Sequence, residues 1–389
     1  MNVLQVANTL HQGGAEAHLL LLAKGLKSHG VTCEVAFFRS NVTGGSFDLR
    51  QMFEDAGIRT HYLACERSCD LRTGVRLNRL LATRRWDILH SHLPRCDAAA
   101  AVCKLLNPRQ TWISTLHHPY DSDDNAYSAG RWIRSLAPMW RLADGVISVS
   151  EPVRQWSIAR LKLAADRAHT ITHGVDLESQ GQAARQLAGR PSRGGSRHSI
   201  GAIGRYEERK GHETLIRAMV TILKHVPNAE LRIAGHDPWG HGDVLRGLIS
   251  ELELDRHVRL VGFISDKDAF FADIDVFAFA SRSEGFGIVL LEAMAAGKAT
   301  VVSNISPLRD IICPGKSGLV AERDDPTGFA DAIVSLFLDP DYLRRVADEG
   351  KQRVATEFSQ ARMVEKTLQY YRDVTDRAGD RIPDGIQRV

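Results

Sequence analysis

The segment from Ala280 to Pro307, ASRSEGFGIVLLEAMAAGKATVVSNISP, constrains the fold more than any other part of the chain. The apolar run that leads into it, 275–280, is typical of a buried parallel strand. Gly285 and Gly287 allow a sharp turn or the close approach of a ligand. The run 288–296 is apolar almost all round, which predicts a buried helix. A strand, a glycine turn and a buried helix in succession indicate a parallel α/β sheet.

Two carboxylates bracket this turn, Glu284 before it and Glu292 within the helix. The first amides of a buried helix and its positive dipole end attract an anion. The two carboxylates are separated by about 12 Å if both are helical, which suits the two ends of one extended ligand. The alternative is that Glu284 caps the helix and Glu292 is a paired acid in the core.

Length and composition limit the class of protein. A chain of 389 residues exceeds the roughly 250–300 residues of a single core, so we expect two domains. A hydrophobic content of 43% and a charged content of 25% are ordinary for a globular enzyme. A net charge of +3 argues against dedicated nucleic-acid binding.

Cysteine usage and the N-terminus predict a cytoplasmic protein. The six cysteines form no CxxC pair, and no His/Cys cluster has zinc spacing, so we expect reduced thiols and no metal. The N-terminal residues enter a strand at once, without the basic region or cleavage site of a signal peptide. No apolar run approaches the roughly eighteen residues that span a bilayer, so any membrane contact would be peripheral.

The first half opens as a doubly wound sheet does. A strand at 2–7 is followed by Gly13 and Gly14, a helix at 17–29 and a strand at 31–38. The first turn of such a sheet commonly faces a ligand. The pattern is not GxGxxG, so a dinucleotide cofactor is not indicated, and a simple tight turn is the alternative.

Histidines follow two later strands of this half. The predicted elements are helices near 47–56 and 71–83, and strands near 60–63, 88–90 and 113–116, with a last strand at 145–150. His92 follows the strand that ends at His90, and His117 and His118 follow the next. Because ligands bind at the carboxyl ends of parallel strands, we expect at least one of these histidines to be functional rather than structural.

The stretch 71–85, LRTGVRLNRLLATRR, is a basic amphipathic helix. Such a helix can rest on anionic lipid headgroups. The alternative is an ordinary surface helix.

A polar, Gly/Ser/Arg-rich stretch separates the two halves, and the alternation of strands and helices then restarts at 199. We therefore predict a first domain at 1–177, a linker at 178–198 and a second domain at 199–359. A C-terminal helix at about 360–385 is expected to pack back on the first domain. Two doubly wound domains in series would form a cleft, where ligands bind.

Arg205 and Lys210 share the loop GRYEERKG after the first strand of the second half. Arginine binds phosphate with two hydrogen bonds and lysine acts as a point charge, so the pair suits a diphosphate near the Gly287 turn. Ordinary surface charge is the alternative.

Together these motifs resemble the retaining GT-B glycosyltransferases of glycosyltransferase family 4, which include glycogen-synthase-like and sucrose-synthase-like enzymes. GRYEERKG resembles the family's G-R-x-x-x-x-K-G loop, and SEGFGIVLLEAMAAGKATVVS resembles its E-x7-E signature. VISVSEPV and HGVD resemble the end of its first domain, although His173 replaces the usual Asn of N-G-V-D. The resemblance covers nearly the whole chain and implies the GT-B fold, two Rossmann-like domains that face each other across a cleft.

The resemblance also implies roles for individual residues. Arg205 and Lys210 would neutralise the diphosphate of a donor, Glu284 would face its sugar and Glu292 its ribose. His117 matches the family's active-site histidine, with the adjacent His118 as the alternative. The implied catalytic residues are His117, Arg205, Lys210 and Glu284; the donor-binding residues are Gly13, Gly14, Phe263, Ile264, Gly285, Phe286, Gly287, Ile288 and Glu292; and the acceptor residues are His92 and His118.

The implied function is transfer of a sugar, with retention of its anomeric configuration, from a UDP- or GDP-linked donor to a glycan or lipid-linked acceptor in cell-surface polysaccharide, lipopolysaccharide or glycolipid assembly. Apart from the nucleotide sugar as substrate, no cofactor or metal is implied. Two alternatives remain: a GT-B epimerase that cleaves a nucleotide sugar without an acceptor, and a non-catalytic sugar-binding partner of another transferase.

Overall fold

The computed structural model describes residues 1–10, 13–39, 49–65, 72–120, 137–178 and 198–379, and the chain divides into two compact units. Unit 1 is Met1–Gly174 with the C-terminal segment from Gln360, and unit 2 is Val175–Ser359. Four predicted elements fall partly outside the described residues: the helix near 47–56, the linker at 178–198, the first residue of the basic helix, and the C-terminal helix beyond 379.

Unit 1 contains a sheet in which seven described strands pair in parallel in the order β3-β2-β1-β4-β5-β6-β7. The strands are β1 (Asn2–Ala7), β2 (Thr32–Phe37), β3 (Thr60–Tyr62), β4 (Ile88–His92), β5 (Trp112–Leu116), β6 (Gly145–Ser148) and β7 (Ala168–Thr170). The helices of this part of the chain are α1 (Gly14–Ser28), α2 (Arg50–Asp55), α3 (Arg72–Leu81), α4 (Pro94–Leu106) and α5 (Glu151–Leu161), with a 3-10 turn at Ala137–Leu142. This alternation confirms the predicted doubly wound sheet.

Two details of the prediction for unit 1 are wrong. Strand β6 is not the last strand, because β7 adds a short parallel edge strand beyond it. Strand β4 continues to His92 instead of ending at His90, so both rings lie within the strand and are buried. A three-residue edge strand has too few positions to show an alternating pattern, and polar side chains at a strand end conceal where the strand stops.

Unit 2 contains a sheet in which six described strands pair in parallel in the order β10-β9-β8-β11-β12-β13. The strands are β8 (Ser199–Ile203), β9 (Glu230–Ala234), β10 (Val258–Gly262), β11 (Val276–Phe279), β12 (Ala299–Ser303) and β13 (Leu319–Ala321). The helices are α6 (His212–His225), α7 (His241–Glu251), α8 (Lys267–Ala272), α9 (Ile288–Ala295), α10 (Leu308–Ile311), α11 (Pro326–Leu338) and α12 (Pro340–Glu357). Helix α9 is largely buried, as its apolar sequence predicted.

The C-terminal helix α13 (Gln360–Gly379) completes the core of unit 1. Met363, Val364 and Leu368 are buried with the side chains of α1 and the sheet. Tyr370 and Tyr371 are also buried, and the Tyr370 hydroxyl donates to the carbonyl oxygen of Arg167 at 2.7 Å. Removing this helix would therefore expose the apolar face that it covers.

Helix α3 packs its apolar face within unit 1 and exposes its basic face. Leu77 and Leu81 are buried, while Arg72, Val75 and Arg79 are exposed on the opposite face. The helix packs on α4. This arrangement favours the surface-helix alternative for the stretch 71–85. Among the described residues, no helix is long and apolar enough to cross a bilayer.

The loops that follow β8 and β11 are held close together in unit 2. Gly211 has a φ of +64°, and a Cβ added there would lie 2.0 Å from the carbonyl oxygen of Ala280. The amide of Arg282 donates to the carbonyl oxygen of Arg209 at 2.8 Å. Only glycine satisfies both the left-handed conformation and the close backbone approach. Gly211 therefore brings the end of GRYEERKG against the end of β11.

We predict that Gly211→Ala destabilises unit 2 more than alanine does at another glycine that also has a positive φ but has no neighbouring atoms for a Cβ to meet. Gly315 supplies this control, since its φ is +76° and an added Cβ would meet nothing within 4 Å. Gly315→Ala should cost about 1–2 kcal/mol of unfolding free energy from backbone strain alone. Gly211→Ala should cost about 1–3 kcal/mol more from the clash. Denaturant unfolding followed by circular dichroism measures both, and equal losses would contradict the close approach.

Candidate active site

The centre of the candidate site in unit 2 is an ion pair between Lys210 and Glu284. The Lys210 Nζ lies 2.5 Å from Glu284 Oε1, and the side chains are only 13% and 10% exposed. Ser281 Oγ donates to the same carboxylate oxygen at 2.8 Å. The structure thus brings together two of the predicted catalytic residues, at the point where the loops after β8 and β11 meet.

Both members of this pair are charged. Burial opposes ionisation of Glu284, but the charges of Lys210 and Arg209 and the hydrogen bonds from Lys210 and Ser281 outweigh it and lower its pKa. Burial lowers the pKa of Lys210 from its ordinary value, and the attraction of Glu284 opposes that shift. A buried lysine beside a buried carboxylate gives a positive charge that is fixed in place and poorly screened by solvent.

Arg209 is a site residue that the sequence analysis missed. Its Nη1 donates to the carbonyl oxygen of Ser283 at 3.0 Å, and its Nη2 pairs with Glu207 Oε1 at 2.8 Å. The only available signal was its place beside Lys210 in GRYEERKG. Arg209 therefore supports the turn that carries Glu284 and adds a second positive charge near it.

Arg205 pairs with Glu207, the same carboxylate that holds Arg209. Its Nη2 is 3.2 Å from Glu207 Oε1, and its guanidinium carbon lies 5.1 Å from the centre of the Trp239 ring. The Arg205 side chain is 40% exposed, and Trp239, in the loop between β9 and α7, is 55% exposed. Arg205 is accessible to a ligand from this position, although it does not touch Glu284.

The glycine turn before α9 has the conformation that the sequence predicted. Gly287 is the N-cap residue with a φ of +113°, and a Cβ there would lie 2.7 Å from Leu308 Cδ2. Gly285 and Phe286 are buried, and Ile288 is partly buried at the start of the helix. Glycine is required at this position by both conformation and packing. The turn therefore delivers the N-terminus of a buried helix next to Glu284.

Glu292 on α9 forms an ion pair with Lys267 at the start of α8. A paired acid is what the alternative interpretation predicted for Glu292, and Lys267 was not identified from the sequence. Phe263 and Ile264, predicted to lie near a nucleobase, follow β10; Phe263 is 42% exposed and Ile264 is partly buried. Their roles stay predictions.

The candidate site residues of unit 1 centre on His117, which directly follows β5. Its Nε2 lies 3.1 Å from His92 Nδ1, and His92 Nε2 lies 2.7 Å from Gln5 Oε1. His117 is partly buried and His92 is 2% exposed, with both of its ring nitrogens engaged. The structure thus joins a predicted catalytic residue to a predicted acceptor residue by a direct hydrogen bond.

Two further histidines complete this cluster. His18 on α1 and His173 lie with their Nδ1 atoms 2.7 Å apart, and the His173 ring stacks 5.5 Å from His117. Burial is the main cause that lowers the pKa of each of these rings, to about 4 for His117 and well below the ordinary value for His18, His92 and His173. These imidazoles are therefore neutral at physiological pH. His173, noted in the sequence only as a departure from N-G-V-D, belongs to the cluster.

The remaining predicted residues of unit 1 lie near this cluster in the sequence. Gly13 caps α1 in an extended conformation and Gly14 is its exposed first residue, while His11 and Gln12 lie outside the described residues. The His118 Nδ1 donates to the carbonyl oxygen of Pro119. In the part of the chain that the structure describes, no group of three or more His, Cys, Asp or Glu residues could hold a metal ion.

Two family models match the chain. The model described as "Glycosyl transferases group 1" matches residues 192–353, and "Glycosyltransferase Family 4" matches residues 12–179. The phosphatidyl-myo-inositol mannosyltransferase of Mycobacterium tuberculosis is 30% identical over 344 residues, which cover 85% of each chain. The glycogen synthase of Mycobacterium tuberculosis is 27% identical, over 80% of this chain and 75% of the relative. The chain therefore belongs to glycosyltransferase family 4 and is a glycosyltransferase.

Solved structures share its fold. The glycosyltransferase from Rickettsia africae matches with a TM-score of 0.78 and 21% identity, over 96% of this chain and 98% of that chain. The structure of Anabaena Alr3699/HepE in complex with UDP and glucose matches with a TM-score of 0.78 and 19% identity, over 95% and 99%. These similarities confirm the GT-B class of fold, with two Rossmann-like domains.

We predict that Lys210→Met lowers the unfolding free energy by about 3 kcal/mol at neutral pH, because it leaves the Glu284 carboxylate buried without its nearest cation. The loss should shrink as the pH falls below about 5, since protonation then neutralises Glu284. In the wild type the lowered pKa of Glu284 stabilises the fold above its unfolded pKa. In the variant its raised pKa would instead destabilise the fold as the pH rises.

Denaturant unfolding between pH 4 and pH 8 measures this difference. The double variant Lys210→Met/Glu284→Gln is the matched control and should recover most of the loss, because it removes both charges of the pair. A loss that is the same at every pH would contradict the buried ion pair.

Proposed function

We propose that this glycosyltransferase moves a sugar from a nucleotide-sugar donor to a glycan or lipid-linked acceptor with retention of the anomeric configuration. The observation that carries the proposal is the buried Lys210–Glu284 ion pair beside the glycine turn of α9. A fixed positive charge, a carboxylate and a helix N-terminus at one place suit the diphosphate and the sugar hydroxyls of such a donor.

The proposed chemistry follows from charge. Breaking the anomeric C–O bond places negative charge on the leaving phosphate oxygen and positive charge on the sugar ring. Lys210, with Arg205 and the amides at 285–288, would stabilise the leaving group, and preorganised charges of this kind are usually a large contribution to catalysis. We propose that these cations neutralise the diphosphate without a metal ion, and that Arg205 turns from Trp239 to the phosphates when the donor binds.

The nucleoside would lie further along α9. Glu292 would accept hydrogen bonds from the ribose hydroxyls, and Phe263 and Ile264 would border the base. Lys267 forms an ion pair with Glu292, so a positive charge lies beside this carboxylate. An ionised carboxylate accepts hydrogen bonds and does not donate them, which is what a ribose diol requires. UDP and GDP are the two nucleotides proposed.

In unit 1, His117 would orient the reacting groups by hydrogen bonding and would not act as a nucleophile. Retention is attributed to attack on the same face of the sugar that the leaving phosphate occupies, with the phosphate assisting the acceptor. His92, being buried, would contribute to acceptor binding through His117. Gly13 and Gly14 would approach the phosphates, and His118 is proposed as a further contact to the acceptor.

A lipid-linked acceptor is suggested by the relative that is named a phosphatidyl-myo-inositol mannosyltransferase. We propose a cytoplasmic protein with at most peripheral contact to an anionic membrane. The apolar side of α3 is already used within unit 1, so such a contact would depend on its exposed arginines. Cosedimentation with anionic vesicles that weakens as salt is added would support this contact. A protein that does not cosediment with the vesicles even at low salt would reject it.

The two alternatives are tested by product analysis with a panel of nucleotide sugars. A glycoside of retained configuration supports the proposal. Free sugar derivative and nucleotide without any glycoside would favour an epimerase. No turnover of any donor would favour a non-catalytic partner. The intact set argues against that alternative: Arg205, Lys210, Glu284 and Glu292.

We predict that Glu284→Gln lowers kcat by roughly 100-fold, the scale of losing one preorganised polar group of the transition state. Its affinity for the nucleoside diphosphate should stay within a few-fold of the wild type, because the proposed partner of Glu284 is the sugar. Glu322→Gln, which changes an exposed carboxylate of the same unit, is the control and should keep wild-type kinetics. Steady-state kinetics and nucleotide titration measure both, and wild-type turnover of Glu284→Gln would remove Glu284 from the site.

A further inference from the structure

A chain of buried hydrogen bonds leads from the C-terminal helix α13 to His117. The Tyr371 hydroxyl accepts a hydrogen bond from Gln5 Nε2 at 3.2 Å, and Gln5 Oε1 lies 2.7 Å from His92 Nε2. The other nitrogen of His92, Nδ1, lies 3.1 Å from His117 Nε2. Tyr371, Gln5 and His92 are each at most 2% exposed, so no solvent competes for these bonds.

The orientation of the Gln5 amide sets the direction of each hydrogen bond from Gln5 to His117. The carbonyl oxygen of Gln5 can only accept, so His92 Nε2 must carry a proton. A neutral imidazole carries one proton, so His92 Nδ1 is an acceptor. The proton between the two rings must then belong to His117 Nε2. If His117 is neutral as well, its Nδ1 holds a lone pair.

At the Tyr371 end of the chain, His90 can complete the hydrogen bonds in the same direction. Since the Tyr371 oxygen accepts from Gln5, its own hydrogen is available to His90 Nδ1, which lies 2.6 Å away. His90 Nε2 then carries the proton of the ring and donates to Thr115 Oγ1 at 2.7 Å. Between Gln5 and His117, reversing one link alone would bring two donors or two acceptors together. The Tyr371 and Thr115 hydroxyls can each donate or accept, so the links to His90 are compatible with this direction.

We propose that Tyr371, Gln5 and His92 are positioning residues that hold His117 in the tautomer protonated at Nε2, so that its Nδ1 accepts a hydrogen bond from a substrate hydroxyl. Among the described residues, His117 Nδ1 has no hydrogen-bond partner of its own. In this tautomer, Nδ1 of His117 can accept a hydrogen bond from a hydroxyl of the sugar or the acceptor, but it cannot donate one. The hydrogen bond from a substrate hydroxyl rests on the proposed function, whereas the tautomer of His117 does not.

Burial supports the assignment of neutral rings. Desolvation lowers the pKa of His90 to about 3 and that of His117 to about 4. Desolvation, followed by the neighbouring histidines, lowers the pKa of His92 well below its ordinary value. Burial also raises the pKa of the Tyr371 hydroxyl well above its ordinary value, so that it keeps its hydrogen. The chain therefore holds its tautomers throughout the physiological range of pH.

The wild-type protein, labelled with nitrogen-15 at histidine, tests the tautomer directly. Long-range proton–nitrogen spectra distinguish a protonated ring nitrogen from an unprotonated one, and His117→Gln identifies the signals of His117 by their loss. We expect protonated Nε2 and unprotonated Nδ1 at neutral pH. A His117 ring protonated at Nδ1 would overturn the proposal, because the chain would then run in the opposite direction with the Gln5 amide reversed.

Tyr371→Phe tests whether α13 sets this tautomer, and Tyr370→Phe is its matched control. Both residues are buried on the same helix, but the Tyr370 hydroxyl bonds to the backbone of Arg167 and not to the imidazole chain. Tyr371→Phe should give a mixture of the two His117 tautomers and lower kcat by about tenfold, as loss of an outer hydrogen-bond partner does in histidine sites. Tyr370→Phe should keep the wild-type spectrum.

An unchanged His117 spectrum in Tyr371→Phe would contradict the role of Tyr371. If Tyr371→Phe does not fold, the wild-type spectrum still decides the tautomer. The spectra need no substrate, so they test this inference even if sugar transfer is not found. Conversely, transfer with His117 protonated at Nδ1 would leave the proposed function intact and reject the positioning chain.

Discussion

The buried ion pair of Lys210 and Glu284 is the interaction on which the candidate site of unit 2 depends. It exists because Gly211 lets the loop after β8 approach the end of β11, and because Gly287 turns the chain into the buried helix α9. Two glycine-dependent backbone conformations and two opposite charges therefore lie together at this turn. A fixed cation in a poorly solvated place is a costly feature for stability alone, and it is suited to an anionic ligand.

Unit 1 uses a different principle. Its histidines are neutral, buried and linked by directional hydrogen bonds, so the chemistry of His117 is decided by which nitrogen carries the proton. The links come from β1, β4 and the C-terminal helix α13, which also covers the apolar core. One helix therefore contributes both to the stability of the unit and to the tautomer of a candidate active-site residue.

The sequence predicted the parts of the fold that have strong periodic patterns. The two doubly wound sheets and the helix α9 follow from apolar runs and glycine positions. The sequence predicted that Lys210 serves an anion near the Gly287 turn, but it did not predict the ion pair of Lys210 with Glu284. The short edge strand β7 and the true end of β4 were missed, because three residues or a polar strand end carry no pattern. Contacts such as Tyr371 with Gln5, and His18 with His173, join distant parts of the chain, so no local signal reveals them.

The central claim is that Lys210 holds the diphosphate of a nucleotide-sugar donor. Calorimetric titration of UDP and of GDP into the wild type, Lys210→Ala and the exposed control Lys316→Ala tests it most directly. We predict that either UDP or GDP binds the wild type, and that it binds Lys316→Ala with the same affinity. The same nucleotide should bind folded Lys210→Ala at least about tenfold more weakly, as expected for the loss of a charge-assisted hydrogen bond. Equal affinity of all three proteins for that diphosphate would contradict the account.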